Sequence, residues 1–495
     1  MNREGLGAVF TPLLWGRFAV ERFGLLDAWL SGATVLDPTM GEGHLLEALI
    51  AAALERGLRP EELPLDRLTG IEIEAPFIAR ARARLLESYG IDLEGRFHCA
   101  SVFDIDIAPH ELILANPPWL SFADLPEGLK EGYKALFVEY GLTDDRRKLL
   151  LGSSRIDLAA LVIQRAMRNL LRPGGRAIFF APLSLLLNDG AHARFRRFRS
   201  GETRFALDQV YDFGEEKVFP EVGTRYGLLS FARDARTRYP FPYYRLEAGA
   251  WREYAAEPLF DPHAPLSAVA PERAEALKEL KPIEIRKASL PRQGVNTGGA
   301  NALFFFRSCE EEDSVHYRLD DGVVLPKRFV FPLLTAACFR DSVCEAQRWV
   351  LLPYGNDGKA MSWKELEKYP RLAEYLLLHR QRLLARKGSM LRASIDRGFW
   401  WAMLGVGPYS FAPYKLVWEA YGRSSFRPLL LEGRWQANQS LQAFMPFWDR
   451  SEAERVLEEL ENPLVEEYLG SFGMAGTMNW AQPGKIKRLL RVTSS

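Results

Sequence analysis

The chain has 495 residues, more than one average domain needs, so we expect two or three domains. Its 64 basic and 64 acidic side chains cancel, so the molecule has no net charge that would attract a polyanion. Any nucleic-acid-binding surface must therefore come from local clusters of basic residues. The cysteines form no CxxC pair and no run of about 18 uncharged apolar residues occurs, so we expect a cytoplasmic protein without a metal site or membrane association.

The first informative pattern is a strand, a glycine loop and a helix. The strand Thr34-Val35-Leu36 is followed by the loop DPTMGEGH, residues 37–44, and by an apolar helix from Leu45 to Leu54. This arrangement lets backbone amides and a helix N-terminus approach a ligand closely. The loop is too short for GxGxxG and has no Lys-Ser/Thr pair, which favours an adenosine ligand smaller than a dinucleotide or a nucleoside triphosphate.

Two further strands end in acidic residues. Glu72 follows the strand that begins at Arg67, and an acidic residue at the end of a second βαβ strand is placed to accept hydrogen bonds from ribose hydroxyls. Glu74 is the weaker candidate. After the next strand, Asp104 could bind an adenine amine while Phe103 covers the ring. Each carboxylate taken alone could equally be an ordinary loop residue.

The segment ANPPWLSF, residues 115–122, follows the apolar run that ends at Leu114. Two prolines after a buried strand predict a stiff turn, because each fixes φ and lacks an N–H group. Asn116 offers an amide, Pro117 a carbonyl and Trp119 a flat apolar face. Together they could hold an aromatic amino group with its nitrogen lone pair directed at an electrophile. The alternative is an ordinary turn, because Asn-Pro often opens one.

The order of these motifs resembles a known family. FTP (residues 10–12), DPTMGEG (37–43) and NPPW (116–119) look like the gamma class of S-adenosylmethionine-dependent N-6 adenine DNA methyltransferases. The resemblance implies a catalytic role for Asn116, Pro117, Pro118 and Trp119. It implies binding of S-adenosylmethionine by Phe10, Thr11, Pro12, Asp37, Pro38, Thr39, Gly41, Gly43, Glu72, Ile73, Phe103, Asp104 and Asn116.

Residues 210–231 predict two strands joined by a loop that carries Phe219 and Pro220. In the family, a loop of this pattern supplies an aromatic ring that stacks on a flipped adenine, and Phe219 is the matching residue. On this interpretation Phe219 points into the site. The alternative is a phenylalanine buried in the hairpin.

The rest of the chain predicts a second domain. Residues 241–288, rich in proline, tyrosine and charge, suit a linker or arm, and residues 451–495 suit a helical tail. Residues 289–450 resemble the target-recognition domain of the same family. Arginines interleaved with aromatic residues could reach phosphates and base edges, or could be a solvated face above core tryptophans. Of Trp400 and Trp401, we expect at most one to be fully buried. The DNA-binding candidates are Arg292, Asn296, Arg382, Arg386, Arg397 and Trp400.

The expected fold class is α/β, a doubly wound Rossmann-like methyltransferase domain over residues 1–240 followed by an α+β recognition domain. The resemblance implies site-specific methylation of a flipped adenine in double-stranded DNA. It also implies a restriction-modification or related defence system, with a separate cognate restriction or defence protein as candidate partner. A fused nuclease is disfavoured, since only nine residues precede the FTP segment. The alternatives are a protein-glutamine or RNA adenine methyltransferase, or a non-catalytic DNA-binding subunit.

Overall fold

The computed structural model describes residues 10–143, 156–188, 192–219, 222, 224–339, 346–420, 426–439, 442–471 and 483–493. Pro220, in the predicted hairpin loop, lies outside the described residues. The chain divides into two compact units, Met1–Ala274 and Glu275–Ser495. Among the described residues, no helix has the length and apolar character needed to cross a membrane.

An 11-stranded sheet is the framework of the first unit. Its strands are β1 (Val35–Asp37), β2 (Leu68–Glu72), β3 (Phe97–Cys99), β4 (His110–Ala115), β5 (Leu171–Pro182), β6 (Arg199–Ser200), β7 (Thr203–Asp212), β8 (Tyr226–Arg233), β9 (Phe241–Glu247), β10 (Ala250–Pro258) and β11 (Leu266–Val269). Its helices are α1 (Leu13–Arg22), α2 (Leu25–Leu30), α3 (His44–Glu55), α4 (Ala75–Tyr89), α5 (Glu127–Glu139), α6 (Leu158–Arg165) and α7 (Ser184–Leu187).

The strand order is β11-β10-β9-β7-β8-β5-β4-β1-β2-β3, and β6 pairs with β7. Strands β3, β2, β1, β4 and β5 are parallel, while β8 runs antiparallel to both β5 and β7. Parallel strands connected by helices are buried on both faces, which explains the uninterrupted apolar run from Leu112 to Ala115. The carboxyl ends of these strands meet at one edge of the sheet, so residues that follow different strands come together there.

Helix α3 lies deep in the core of this unit. Its residues from Leu45 to Ala53 are all buried, and α1 packs closely against it. A Cβ atom on Gly16 of α1 would lie 2.9 Å from the Cβ atom of Ala48, so only glycine allows this approach. The close packing keeps the segment before α1 near the loop that precedes α3.

The structure corrects the prediction of a linker over residues 241–288. Strands β9, β10 and β11 extend the large sheet, with Val210 of β7 opposite Tyr243 of β9. The Tyr243 hydroxyl donates to Asp212 Oδ2 at 2.6 Å, which ties the added strands to the sheet. Phe241 and Tyr243 are buried while Pro242 between them is exposed, the alternation of an ordinary strand. Because the segment is rich in proline, the sequence alone predicted a linker rather than this alternation of buried and exposed residues.

The second unit is α+β. Its strands are β12 (Ile283–Ile285), β13 (Arg292–Gln293), β14 (Phe305–Phe306), β15 (Cys309–Glu311), β16 (His316–Leu319), β17 (Val324–Pro326), β18 (Val330–Pro332), β19 (Trp349–Leu351), β20 (Tyr414–Glu419), β21 (Leu429–Glu432), β22 (Gln442–Phe447) and β23 (Leu490–Val492). Helix α8 (Ala274–Lys278) spans the boundary between the units, and the helices that follow are α9 (Asn301–Phe304), α10 (Trp363–Leu366), α11 (Pro370–Leu378), α12 (Arg380–Leu384), α13 (Ser389–Asp396), α14 (Arg450–Leu460), α15 (Pro463–Ser471) and α16 (Pro483–Ile486). The strands form small sheets, and β12 pairs in parallel with β23. The predicted tail is therefore part of this unit. The fold class is the one expected from the sequence.

Candidate active site

A cavity of about 210 Å³ lies at the carboxyl edge of β1, β2 and β4. Most of the residues that the family resemblance assigned to a cofactor line this cavity. They are Phe10, Thr11, Asp37, Pro38, Thr39, Gly41, Glu72, Ile73, Phe103 and Asn116, joined by Pro118 of the NPPW segment. Pro12, Gly43 and Asp104 are not among the lining residues. The cavity thus brings together residues that lie more than a hundred positions apart.

The glycine loop is held against the end of β2. Gly41 has a φ of +53°, and a Cβ atom there would lie 2.9 Å from Cε1 of Phe10. The Gly41 N–H group donates to Glu72 Oε2 at 2.9 Å. Gly43, with a φ of +77°, ends the loop directly before α3 begins at His44. Glycine is needed at both positions because other residues rarely adopt such backbone angles.

Two carboxyl groups stand side by side at the strand ends. Asp37 is 1% exposed, and its Oδ1 atom accepts from the Thr39 N–H group at 3.1 Å. Burial, together with a smaller contribution from the neighbouring carboxylate of Glu72, raises the pKa of Asp37 to about 8. Burial also raises the pKa of Glu72, although its Oε1 atom accepts from the Glu74 N–H group at 2.9 Å. The cavity therefore has an acidic wall that an incoming cation would stabilise.

Aromatic rings form an apolar part of the cavity lining, in contrast to the two carboxyl groups. Phe10 contacts Phe77 edge-on with ring centroids 5.3 Å apart, and Phe103 contacts Tyr133 in the same manner at 5.8 Å. Sequence reasoning missed Phe77 and Tyr133, as well as His44, whose pKa is lowered mainly by burial. Phe77 and His44 lie in the first turn of α4 and α3, each directly after a strand-end loop, and that position was the available signal.

Asn116 lies directly after β4, beside the segment that precedes α1. Its Nδ2 group donates to Thr11 Oγ1 at 3.1 Å, and Thr11 is 4% exposed. This contact turns the other end of the amide, Oδ1, away from Thr11. The FTP and NPPW motifs, separated by more than a hundred residues, are thus joined by one hydrogen bond at the cavity.

Trp119 and Phe219 contact each other next to this cavity without lining it. Their ring centroids are 4.9 Å apart at an angle of 88°, and the Trp119 indole N–H donates to the Phe180 carbonyl oxygen at 3.3 Å. Phe219 is 2% exposed and also packs on Tyr226. This edge-on contact leaves no room for a base between the rings. In this structure Phe219 is the buried hairpin phenylalanine rather than a side chain directed into the cavity.

The structure corrects two of the predicted DNA-binding residues. Arg386 is 7% exposed, and its guanidinium donates to the carbonyl oxygens of Leu383, Thr297 and Trp400 at 3.0, 2.7 and 2.7 Å. Burial lowers its pKa to about 10. Trp400 and Trp401 are 7% and 1% exposed, so both lie in the core, and of the two only Trp401 is fully buried, as expected. Arg386 and Trp400 are thus core residues of the second unit.

The other four candidates differ in environment. Arg382 and Arg397 are exposed, as a phosphate contact requires. Arg292 is half-buried, with its guanidinium carbon 4.8 Å from the centroid of the Tyr409 ring. Asn296 accepts from the Gly298 N–H group at 2.8 Å, which makes it a turn residue in this structure. Only Arg382 and Arg397 therefore present an exposed cation.

The first unit is thus a doubly wound α/β sheet with this cavity at the carboxyl edge of its parallel strands. The chain is similar to the type IIL restriction-modification enzyme MmeI, solved in complex with DNA, with a TM-score of 0.52 and 15% identity over 88% of this chain and 60% of that one. The type IIG restriction endonuclease BpuSI matches with a TM-score of 0.42 and 14% identity over 98% of this chain and 59% of that one.

A methyltransferase subunit of a type I restriction-modification system from Streptococcus thermophilus matches with a TM-score of 0.32 and 19% identity, over 49% of this chain and 48% of that one. The chain thus spans 48% to 60% of the length of these three structures. No model of a known protein family and no curated protein matches the sequence. At such identities, the similarity to MmeI establishes a common fold.

Proposed function

We propose that the chain transfers a methyl group from S-adenosylmethionine to the exocyclic amino group of an adenine in double-stranded DNA. The observation that carries this proposal is the position of Asn116. Its amide lines the same cavity as Asp37 and Glu72 and is oriented by Thr11. The proposed cofactor site and the proposed amine-binding motif therefore share one cavity.

The cavity suits the proposed cofactor. Glu72 would accept hydrogen bonds from ribose hydroxyls, since it ends the second strand of the βαβ unit. The rings of Phe10, Phe77 and Phe103 offer apolar surface to an adenine. Asp37 would face the positively charged part of the ligand. Bound S-adenosylmethionine would supply a methyl group attached to a sulfonium sulfur.

The NPPW segment would hold the substrate amine. We assign to the Asn116 amide oxygen and the Pro117 carbonyl the two protons of the adenine amino group, so that the nitrogen lone pair faces the methyl group. Asn116 orients the amine and is too weak a base to deprotonate it. The adenine must leave the stack, because a base inside a duplex cannot reach the cavity. Trp119 would then stack on the base, while Phe219 supports the indole ring of Trp119 through their edge-on contact.

We extend the proposal to the second unit and to the biological system in which the chain acts. The solved relatives are named as restriction-modification enzymes, and MmeI is described in complex with DNA. We propose that the second unit contacts DNA and selects the methylated site, with Arg382 and Arg397 among its exposed cations. A separate cognate restriction or defence protein is the candidate partner, and the cytoplasm is the expected location.

The test is to identify the product. The full chain is incubated with methyl-labelled S-adenosylmethionine and unmethylated plasmid DNA, and the DNA is then digested to nucleosides. We expect the label in N6-methyladenine. Label recovered only in added RNA or protein would instead support one of the alternative methyltransferase activities. Binding of S-adenosylmethionine without transfer to any of these would support a non-catalytic subunit.

Asp37 makes cofactor affinity depend on pH. Its pKa of about 8 means that the carboxyl group is mostly neutral at pH 6 and charged at pH 9. A sulfonium cation prefers the charged form, so affinity should rise as the pH increases through about 8. The gain is roughly tenfold for each unit by which the bound cation lowers this pKa. Isothermal titration calorimetry with S-adenosylmethionine at pH 6 and pH 9 measures this change in affinity.

The control for this prediction is Asp37→Asn, which keeps the size of the side chain and removes its titration. Titration of the ligand's own amino group affects the parent and the variant equally, so the difference between them isolates Asp37. S-adenosylhomocysteine, with an uncharged sulfur, should show a weaker dependence in the parent. An identical pH dependence in parent and variant would contradict the assigned position of Asp37 beside the cation.

A further inference from the structure

A groove in the second unit gathers positive charge that the proposed catalytic site does not use. It has a volume of about 730 Å³ and lies where β16 begins, β17 ends and α11 begins. Its lining includes Lys327, Arg328, Lys368 and Arg371, while no lining residue in the described part of the chain is a carboxylate. In a chain of zero formal net charge, four cations around one depression are a local excess.

Two of these cations are available to pair with a ligand. Lys368 and Arg371 are both exposed, and none of the described residues forms an ion pair with either, although the pKa of the nearby Glu365 is lowered by local hydrogen bonds and, to a smaller extent, by the charge of Lys368. Lys327 differs, because its Nζ atom lies 2.6 Å from Glu311 Oε1 and its charge is partly compensated. We therefore expect Lys368 and Arg371 to contribute more than Lys327 to binding an anion.

Arg328 is exposed but already held in place. Its guanidinium carbon lies 4.9 Å from the centroid of the Phe329 ring and 5.2 Å from that of the Tyr369 ring, and it donates to the Tyr369 hydroxyl. A guanidinium fixed between aromatic rings loses less side-chain entropy when it meets a phosphate. The groove thus combines free cations with one that is preorganised.

A second surface depression provides the contrast. It is lined by Glu284, Arg286, Glu452 and Arg455 together with uncharged residues, so its charges balance. An excess of cations is therefore not a general property of depressions on this unit. Four cations along a groove whose lining has no carboxylate match a polyanion, whose phosphates are spaced along a chain, better than a single small anion.

We propose that the basic groove, defined by Lys327, Arg328, Lys368 and Arg371, binds the phosphodiester backbone of DNA. The proposal rests on the proposed function, since DNA is the substrate there. Contacts of this kind position a protein on a duplex without reading its sequence. The groove would therefore contribute affinity for any DNA sequence, and site selection would come from other parts of the unit.

The double variant Lys368→Ala/Arg371→Ala of the full chain tests the groove. Binding to linearised plasmid DNA is measured over a range of salt concentrations. We expect affinity to fall on the order of tenfold per residue at about 0.1 M salt, and the slope of log K against log salt to shrink by roughly one unit per residue. Affinity for S-adenosylmethionine should not change.

The matched control is Lys281→Ala/Lys287→Ala, which removes the same charge from exposed positions outside the groove. The control should keep the salt slope of the parent. An unchanged slope in the groove variant, or an equal loss in the control, would overturn the proposal. The proposal would also be overturned if the groove variant lost binding to duplex RNA but not to DNA. If the parent binds DNA through the groove but transfers no methyl group, the groove stands and the proposed function fails.

Discussion

Replacing Asn116 by alanine should reduce methyl transfer to DNA by on the order of a hundredfold or more, the scale of lost orientation. The side chain lines the cavity at the end of β4, where the amine and the methyl group would meet. Alanine removes the amide acceptor, and the amine is then free to rotate its lone pair away from the methyl group. Single-turnover transfer to plasmid DNA measures the effect.

Cofactor affinity and melting temperature should change little in the same variant, because the walls formed by Asp37 and Glu72 remain intact. The Asn116–Thr11 hydrogen bond provides a second measurement. Thr11→Val should slow transfer less than Asn116→Ala, and Thr11→Ser, which keeps the hydroxyl, should restore it. Near-normal transfer by the Asn116 variant would remove Asn116 from the mechanism and leave the motif an ordinary turn.

Replacing Arg386 by alanine should destabilise the second unit by on the order of 3 kcal/mol or more, because each buried acceptor left without a donor costs about 1–3 kcal/mol. The guanidinium donates to three carbonyl oxygens, one on the nearby Leu383 and two on the more distant Thr297 and Trp400. With a pKa lowered to about 10, it remains charged at neutral pH. Chemical denaturation of the full chain, followed by tryptophan fluorescence, measures the loss.

Arg382→Ala is the matched control, since Arg382 lies four residues away and is exposed. Its effect on stability should stay within about 0.5 kcal/mol. Arg386→Lys should fall between parent and alanine, because an ammonium cannot reproduce the fork of a guanidinium. If Arg386→Ala kept the stability of the parent but bound DNA poorly, Arg386 would be the DNA contact first predicted and its core role would be wrong.

The sequence by itself determined where the parallel strands end and which polar residues follow them. Buried parallel strands need short apolar runs, and each run here stops at a polar residue or a proline. That pattern placed Asp37, Glu72 and Asn116 at strand ends, and parallel topology brings such ends to one edge. Ten of the thirteen residues assigned to the cofactor by resemblance line the cavity, because they lie in loops whose position the strands dictate.

Only the tertiary structure decided which side chains are buried. Arg386 and Trp400 occupy a segment whose pattern fits a solvated face as well as a core, and two of the three carbonyl groups that accept from the guanidinium come from residues distant in sequence. Phe219 is likewise buried by Trp119 and Tyr226. Local sequence specifies the period of a helix or strand, whereas burial and the clustering of charge depend on which distant segments pack against it.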